Sequence, residues 1–294
     1  MGPTLEMAGH SSRTPGVSGE SAEAVLSLRD IKLGYGRGAV QQGVSFDVSR
    51  GSVFAIMGAS GSGKSTLLQS MIGLLRPESG RMLFAGQDYW GADADQRADI
   101  GRRFGVLFQG GALWTALTVG ENVALPMQMF TPMEPATIRR LVEVKLALVG
   151  LDHAIDLLPS ELSGGMAKRA GLARALALDP EVLFLDEPSS GLDPVAARRL
   201  DDLILDLREA TQVTVVLVSH DLLSLFAIAD DGVFLDAAAG TVIAHGSAVA
   251  LRDHSEDPRV VAFMRRETLK APDERTLPPV NVPKESPWTM LDKR

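Results

Sequence analysis

The chain has 294 residues, a formal net charge of −8, a hydrophobic fraction of 45% and no cysteine. The missing thiols exclude disulfides, cysteine–zinc sites and thiol catalysis, the acidic balance argues against indiscriminate nucleic-acid binding, and the apolar content suffices for one large domain or two modest ones. No apolar run approaches the roughly 18–20 residues that span a bilayer, and no charged start with a following apolar stretch marks a secretory signal, so a soluble or peripheral protein is expected.

Residues 1–22 are rich in Ser, Gly, Pro and Ala without a period and read as a flexible N-terminal arm. Strands are expected at Val25–Leu28, Val44–Val48 and Val53–Met57, the last a nearly continuous apolar run of the kind buried on both faces. A helix should open after Gly63 and run through Leu67, Leu68, Met71, Ile72 and Leu74. Arg81–Phe84 and Phe104–Phe108 read as strands, and Thr137–Leu151 and Ser163–Leu178 as helices, with Ser163 as the N-cap of the second and Asp179-Pro180 as its stop. The strand Val182–Leu185, the helix Val195–Ala210 and the strand Val213–Val218 follow, and Val233–Leu235 with Thr241–His245 suggests a terminal hairpin. Strands alternating with helices predict an α/β fold with a mostly parallel sheet. From 267 to 294 the chain is charged and proline-rich, a tail with little capacity for its own core.

Two segments carry chemistry. Gly58-Ala59-Ser60-Gly61-Ser62-Gly63-Lys64-Ser65-Thr66 fits the phosphate-binding P-loop, or Walker A, pattern, and it sits where that loop must sit, between a buried strand and a helix. Its glycines let the backbone curl so that several N–H groups face phosphate oxygens, and the helix N-terminus adds a positive dipole end. Lys64 is expected to reach the β- and γ-phosphates of ATP, and Ser65 to ligate Mg²⁺. Leu183-Phe184-Leu185-Asp186-Glu187 is an apolar strand ending in two acids. Asp186 is placed to hold Mg²⁺ through water, and Glu187 to take a proton from the attacking water.

Leu162-Ser163-Gly164-Gly165-Met166 then gives the family resemblance: the sequence resembles the ABC transporter ATPases, a P-loop NTPase fold with a parallel core sheet, an antiparallel β portion and a helical subdomain. The resemblance implies an ATPase domain over 23–266, with its helical subdomain at about 112–178. It implies a homodimer in which Ser163, Gly164 and Gly165 of one subunit meet the γ-phosphate held by the P-loop of the other. It places Tyr35 against adenine and makes Gln109 a sensor of Mg²⁺ and the attacking water. It makes Ser190-Gly191-Leu192-Asp193 the loop between subunits and gives His220 a switch role at the γ-phosphate. Gly58, Ser60, Gly61, Gly63 and Thr66 complete the nucleotide set. Met166 departs from the glutamine commonest at the end of the signature. That change leaves the Ser163 and Gly165 contacts intact, so hydrolysis is still expected.

Ala167-Lys168-Arg169 after the signature, Val106–Trp114, and Thr118–Val123 resemble ATPases of the mammalian-cell-entry type lipid transporters. That resemblance implies phospholipid or another hydrophobic cargo, an integral-membrane permease partner, a small accessory cytoplasmic subunit, a lipid-carrier protein, and a peripheral place on the cytoplasmic face of the inner membrane. Gly110–Trp114, an apolar loop beside Gln109, is suited to receive a helix from a partner; the alternative is that Leu113 and Trp114 pack into the helical subdomain. An ATPase for another cargo, or a soluble ABC ATPase such as an iron–sulfur-assembly factor, remains the alternative function. Trp288, in an apolar cluster near the end of the tail, is read as an anchor for a second copy or an accessory subunit, the alternative being a frayed end.

Overall fold

The computed structural model describes residues 23–34 and 38–267. The expectations for 1–22, Tyr35 and 268–294, Trp288 included, lie outside the described residues.

Three short apolar strands organise the fold. All six residues of β3 (Val53–Gly58) are buried, and so are Val182–Leu185 of β7 (Val182–Asp186) and all of β8 (Thr214–Val218). Successive side chains of a strand point to opposite faces, and here the two faces feed two cores. Val53, Ala55, Met57, Leu183, Leu185, Val215 and Leu217 join helical residues such as Val123, Leu146 and Leu172. Phe54, Ile56, Phe184, Val216 and Val218 meet Leu26, Leu28 and Phe84 of an antiparallel sheet. A strand buried on both sides has no polar face, which is why these segments read as continuous apolar runs.

The remaining strands are β1 (Ala24–Gly34), β2 (Ala39–Ser49), β4 (Ser79–Phe84), β5 (Gln87–Asp88), β6 (Phe104–Leu107), β9 (Asp231–Asp236) and β10 (Thr241–His245). The main sheet runs β10-β9-β3-β8-β7-β6 and is parallel except for the antiparallel edge pair β9–β10. The second sheet, β2-β1-β4-β5, is antiparallel. This is the parallel-core and antiparallel-β combination expected from the sequence. The expected hairpin is β9–β10, and β9 also pairs with β3.

The helices are α1 (Lys64–Met71), α2 (Ala94–Arg102), α3 (Val119–Phe130), α4 (Pro135–Leu148), α5 (Gly164–Ala175), α6 (Pro194–Thr211), α7 (Leu222–Ile228), α8 (Ala248–His254) and α9 (Pro258–Arg265). Helices α3, α4 and α5 come between β6 and β7 in the chain and bury Val119, Val123, Val142, Leu146 and Leu172 in one cluster. Several expected bounds shift. The first helix ends at Met71 rather than Leu74, with Gly73 at φ 83 just beyond it. The helix expected at 137–151 starts at Pro135, because proline suits a first helical turn, and ends at Leu148 before Gly150 at φ 66. Helix α5 stops at Ala175, three residues short of Leu178, and β6 stops at Leu107, so Gln109 stands in the loop beyond the strand. Among the described residues, no helix is long and apolar enough to cross a membrane.

Candidate nucleotide site

The phosphate loop joins β3 to α1. Helix α1 has no side-chain cap; its N-cap is Gly63 in the left-handed region at φ 90, where a side chain would also meet Gln41 and Val40. Glycine is required for both reasons. The first N–H groups of α1 are therefore aimed outward without a side chain of their own to accept them, the arrangement that binds anions. Gly58, at φ 144, closes the other end: a Cβ there would lie 2.3 Å from the Leu235 carbonyl. Lys64 is buried and donates through Nζ to the carbonyls of Gly58 (2.9 Å) and Ala59 (3.0 Å). Burial pulls its pKa down, while Glu187 and Asp186 hold it up.

The acidic end of β7 lies opposite. Glu187 has a left-handed backbone, φ 49, a conformation that costs a residue with a side chain on the order of 1 kcal/mol or more and recurs at functional sites. It is held there by its N–H to the Val218 carbonyl (2.9 Å) and by the Ser190 N–H to its own carbonyl (3.1 Å). Its carboxylate Oε1 pairs with Nδ1 of His220 at 2.7 Å. His220 itself is largely exposed, and the Glu187 side chain is nearly covered. Asp186 is raised in pKa by burial and then by the neighbouring Glu187 charge, with Lys168 and Lys64 opposing. Its Oδ1 is fully buried and has no hydrogen-bond partner. A buried carboxylate oxygen without a donor is what a cation would satisfy. Gln109 donates to Ser190 Oγ at 3.4 Å, which ties the loop after β6 to the loop after Glu187.

One cavity of about 680 Å³ gathers Ser60, Gly61, Gly63, Lys64, Ser65, Thr66, Gln109, Glu187 and His220. The sequence missed two of its walls, Val40 and Phe263, and a support, Gln41. Gln41 is completely buried and donates its amide to the Ser62 carbonyl from below the loop. Phe263 arrives from α9, where it stacks edge-on against Phe234 at 5.1 Å. No motif marks these residues; tertiary packing alone brings them in.

Ser163, Gly164 and Gly165 do not line that cavity. They open a different groove, of about 730 Å³, together with Leu192 and Asp193. Ser163 is the N-cap of α5, as expected, and accepts from the Met166 N–H at 3.3 Å. Asp193 caps α6 by accepting from Val195 and Ala196 at 2.9 and 3.0 Å. Within one chain, the two halves expected to share a nucleotide are thus apart.

Gly110–Trp114 divides between its two readings. Leu113 packs against the core, but Trp114 is 63% exposed. The backbone of Trp114 is fixed by the buried Asn122, which accepts from its N–H (2.8 Å) and donates to its carbonyl (3.0 Å). Trp114, Phe108, Phe130 and Phe104 border a cavity of about 750 Å³.

A model of the ABC transporter family matches residues 41–190. The intermembrane phospholipid transport system ATP-binding protein MlaF of Escherichia coli (strain K12) is 41% identical over 245 residues, covering 83% of this chain and 90% of that protein. The Mycobacterium leprae protein named "Probable ribonucleotide transport ATP-binding protein mkl" is 42% identical over 196 residues, covering 67% of this chain and 56% of that one. Among solved structures, a dimeric ATP-binding cassette in a post-hydrolysis state with ADP and Pi superposes with a TM-score of 0.69 and 29% identity, covering 76% of this chain and 98% of that chain.

Proposed function

The chain belongs to the ABC transporter family and is an ATPase subunit of it, and from that premise we propose that it powers phospholipid movement as one of two identical subunits beneath a membrane permease. The cargo reading rests on MlaF, whose likeness extends over 83% of this chain and 90% of its own length. The mkl likeness, at a similar identity, covers 67% and 56%. The longer match makes phospholipid the preferred class over ribonucleotide.

The observation that carries the chemistry is the shared cavity of Lys64 and Glu187. In this reading the α1 N-terminus and Lys64 take the phosphates of ATP, and Lys64 exchanges its two carbonyl partners for phosphate oxygens. Ser65 and Asp186, with Gln109, would hold Mg²⁺, which neutralises the charge that develops on the phosphates. Glu187 takes the proton of the attacking water; His220 occupies one carboxylate oxygen and orients the other. Tyr35 is assigned to the adenine. Ser163, Gly164 and Gly165 supply the missing face of the site to the partner's nucleotide, which requires a two-fold dimer. Residues 23–266 form the ATPase domain, with 112–178 as its helical part. The aromatic cavity beside Trp114 is the permease's docking place, which puts the protein on the cytoplasmic face of the inner membrane. An accessory cytoplasmic subunit and a lipid carrier would complete the system.

Two measurements test this. Mass spectrometry of the intact complex in mild detergent should find a multi-spanning permease and retained phospholipid; soluble scaffold proteins as the only partners would overturn the transport reading. Glu187→Gln should keep nucleotide affinity and lose about 100-fold or more in turnover, the scale of general-base catalysis. Turnover near the wild-type rate would remove Glu187 as the base.

A further inference from the structure

Helix α5 carries three cations that grip backbone carbonyls outside the helix; Arg169 donates to Val149 (3.0 Å) and Gly150 (3.3 Å). Arg174 donates to Gly111 (2.9 Å) and Ala112 (2.6 Å). Lys168 donates Nζ to the carbonyl of Gln109 and, at 3.2 Å, to that of Glu187. Lys168 is 6% exposed, on a segment where an apolar residue would cost nothing to bury. A lysine that far from water must be offset by partners. Burial lowers its pKa, and the nearby Asp186 and Glu187 carboxylates oppose that shift.

The two carbonyls it grips belong to the residues assigned as water sensor and general base. The grip on Glu187 matters more than an ordinary carbonyl contact. Glu187 sits in a left-handed conformation that does not persist without support. Val218 fixes its N–H, and Ser190 and Lys168 fix its carbonyl. Lys168 reaches Glu187 from a different element, the helix whose first turn is the signature. It also spans from Glu187 to Gln109, which stand in the loops that follow two different strands, β7 and β6.

We propose that Lys168 is a positioning residue for hydrolysis: its ammonium fixes the backbones of Glu187 and Gln109 to the signature helix, so that the base and the sensor of one site move with the helix end that meets the nucleotide of the other. This rests on the general-base and composite-site readings above. Lys168 does not line the nucleotide cavity, so its loss should disturb the chemical step and spare nucleotide binding. Arginine retains the donors and the charge; glutamine retains fewer donors and no charge; methionine retains only bulk.

The test uses the complete transporter complex with wild-type, Lys168→Arg, Lys168→Gln, Lys168→Met and Glu187→Gln subunits. ATP turnover is measured against ATP concentration, and affinity with a fluorescent ATP analogue. Lys168→Met should lose about 10- to 100-fold in kcat, the scale of a catalytic group displaced by about 1 Å. Its KM and analogue affinity should stay near wild type. Lys168→Arg should recover most of the rate, with Lys168→Gln between. If the methionine variant does not assemble, the glutamine variant carries the comparison. A Lys168→Met or Lys168→Gln enzyme with wild-type kcat, or one whose affinity falls as far as its kcat, overturns the proposal. An active Glu187→Gln control would instead remove the reading on which it rests; an inactive control beside a fully active Lys168→Met removes Lys168 alone.

Discussion

Helices α1 and α5 both start on glycine-rich turns and both are assigned to phosphate, yet they are built in opposite ways. Helix α1 has no side-chain cap, a left-handed glycine at its start and a buried lysine folded back on the loop. The loop is held from beneath by the same chain, through the Gln41 amide that donates to the Ser62 carbonyl. Helix α5 is capped by its own Ser163 in an extended conformation, and its first two glycines have room: a Cβ on Gly164 would meet only Leu192, at 3.7 Å, and one on Gly165 only Ala196, at 4.0 Å. The first is a cradle and the second is an open face. The difference fits the proposed reading in which the signature serves a second copy: a helix start that caps itself and faces a groove has no cradle of its own.

The largest expected effect breaks the cradle. Lys64→Ala should weaken binding of ATP on the order of 100-fold, because a charged hydrogen bond to phosphate is worth about 1.5–3 kcal/mol and its buried site is left empty. Equilibrium binding of a fluorescent ATP analogue checks this, and an affinity within threefold of wild type would show that the loop backbone alone makes the cradle. Breaking the open face should look different. Ser163→Arg should leave analogue binding to a single chain unchanged and reduce turnover at least about tenfold, since arginine fills the groove where the partner's γ-phosphate is stabilised. Mixing Lys64→Ala chains with Ser163→Arg chains should restore one intact site per mixed dimer. Trapped nucleotide at no more than the level of either variant alone would count against shared sites. Coupling between the two sites can keep bulk turnover low even so, which is why trapping is the measurement.

The same contrast explains what was legible in the sequence. The cradle is local: its residues are contiguous, its glycines are forced by backbone geometry, and the strand before it is apolar on both faces. The acidic strand and the Ser163 cap are local for the same reasons. What surrounds them is not. Val40 and Phe263 reach the cavity from β2 and α9, and Gln41 of β2 supports the loop beside it, through packing that no spacing encodes. Strand β1 runs from Ala24 to Gly34 although only Val25–Leu28 stood out, because exposed Arg29 and left-handed Asp30 interrupt its alternation. Helix α3 went unrecognised even though Thr118 and Glu121 form a reciprocal capping box at its start. Its interior holds Pro126 and the buried polar Asn122, which conceal the helical period. Helix α2, also capped by a box at Asp93 and Gln96, buries only Ile100 and has almost no apolar stripe to find.

The smallest expected effect concerns how each side balances a buried charge. On the cradle side, buried Lys64 faces two carboxylates. Behind the open face, on α6, Asp201 is 3% exposed, accepts from Ser224 Oγ at 2.8 Å and has an Oδ1 with no partner. Burial raises its pKa from 3.8 to about 6; the Ser224 bond lowers it, and the nearby Asp221 charge adds to the rise. The folded chain therefore keeps this proton through a range where the unfolded chain has lost it. Stability from the neutral form is complete below about pH 4, falls as pH rises toward 6, and is gone above that. A shift of that size corresponds to about 3 kcal/mol at pH 8, as an upper bound. Asp201→Asn removes the charge but leaves a buried amide N–H where Oδ1 had no partner, which costs about 1–3 kcal/mol. The net gain should be a Tm higher by a few degrees at pH 8. At pH 5 only about half of that penalty is present, because the unfolded carboxyl is already ionised while the folded one still keeps its proton, so the gain should be smaller there and the amide cost should offset it. Thermal melts at the two pH values measure the difference. An equal loss of Tm at both would mean that the Ser224 contact, and not the buried charge, is what Asp201 contributes to the join between α6 and α7.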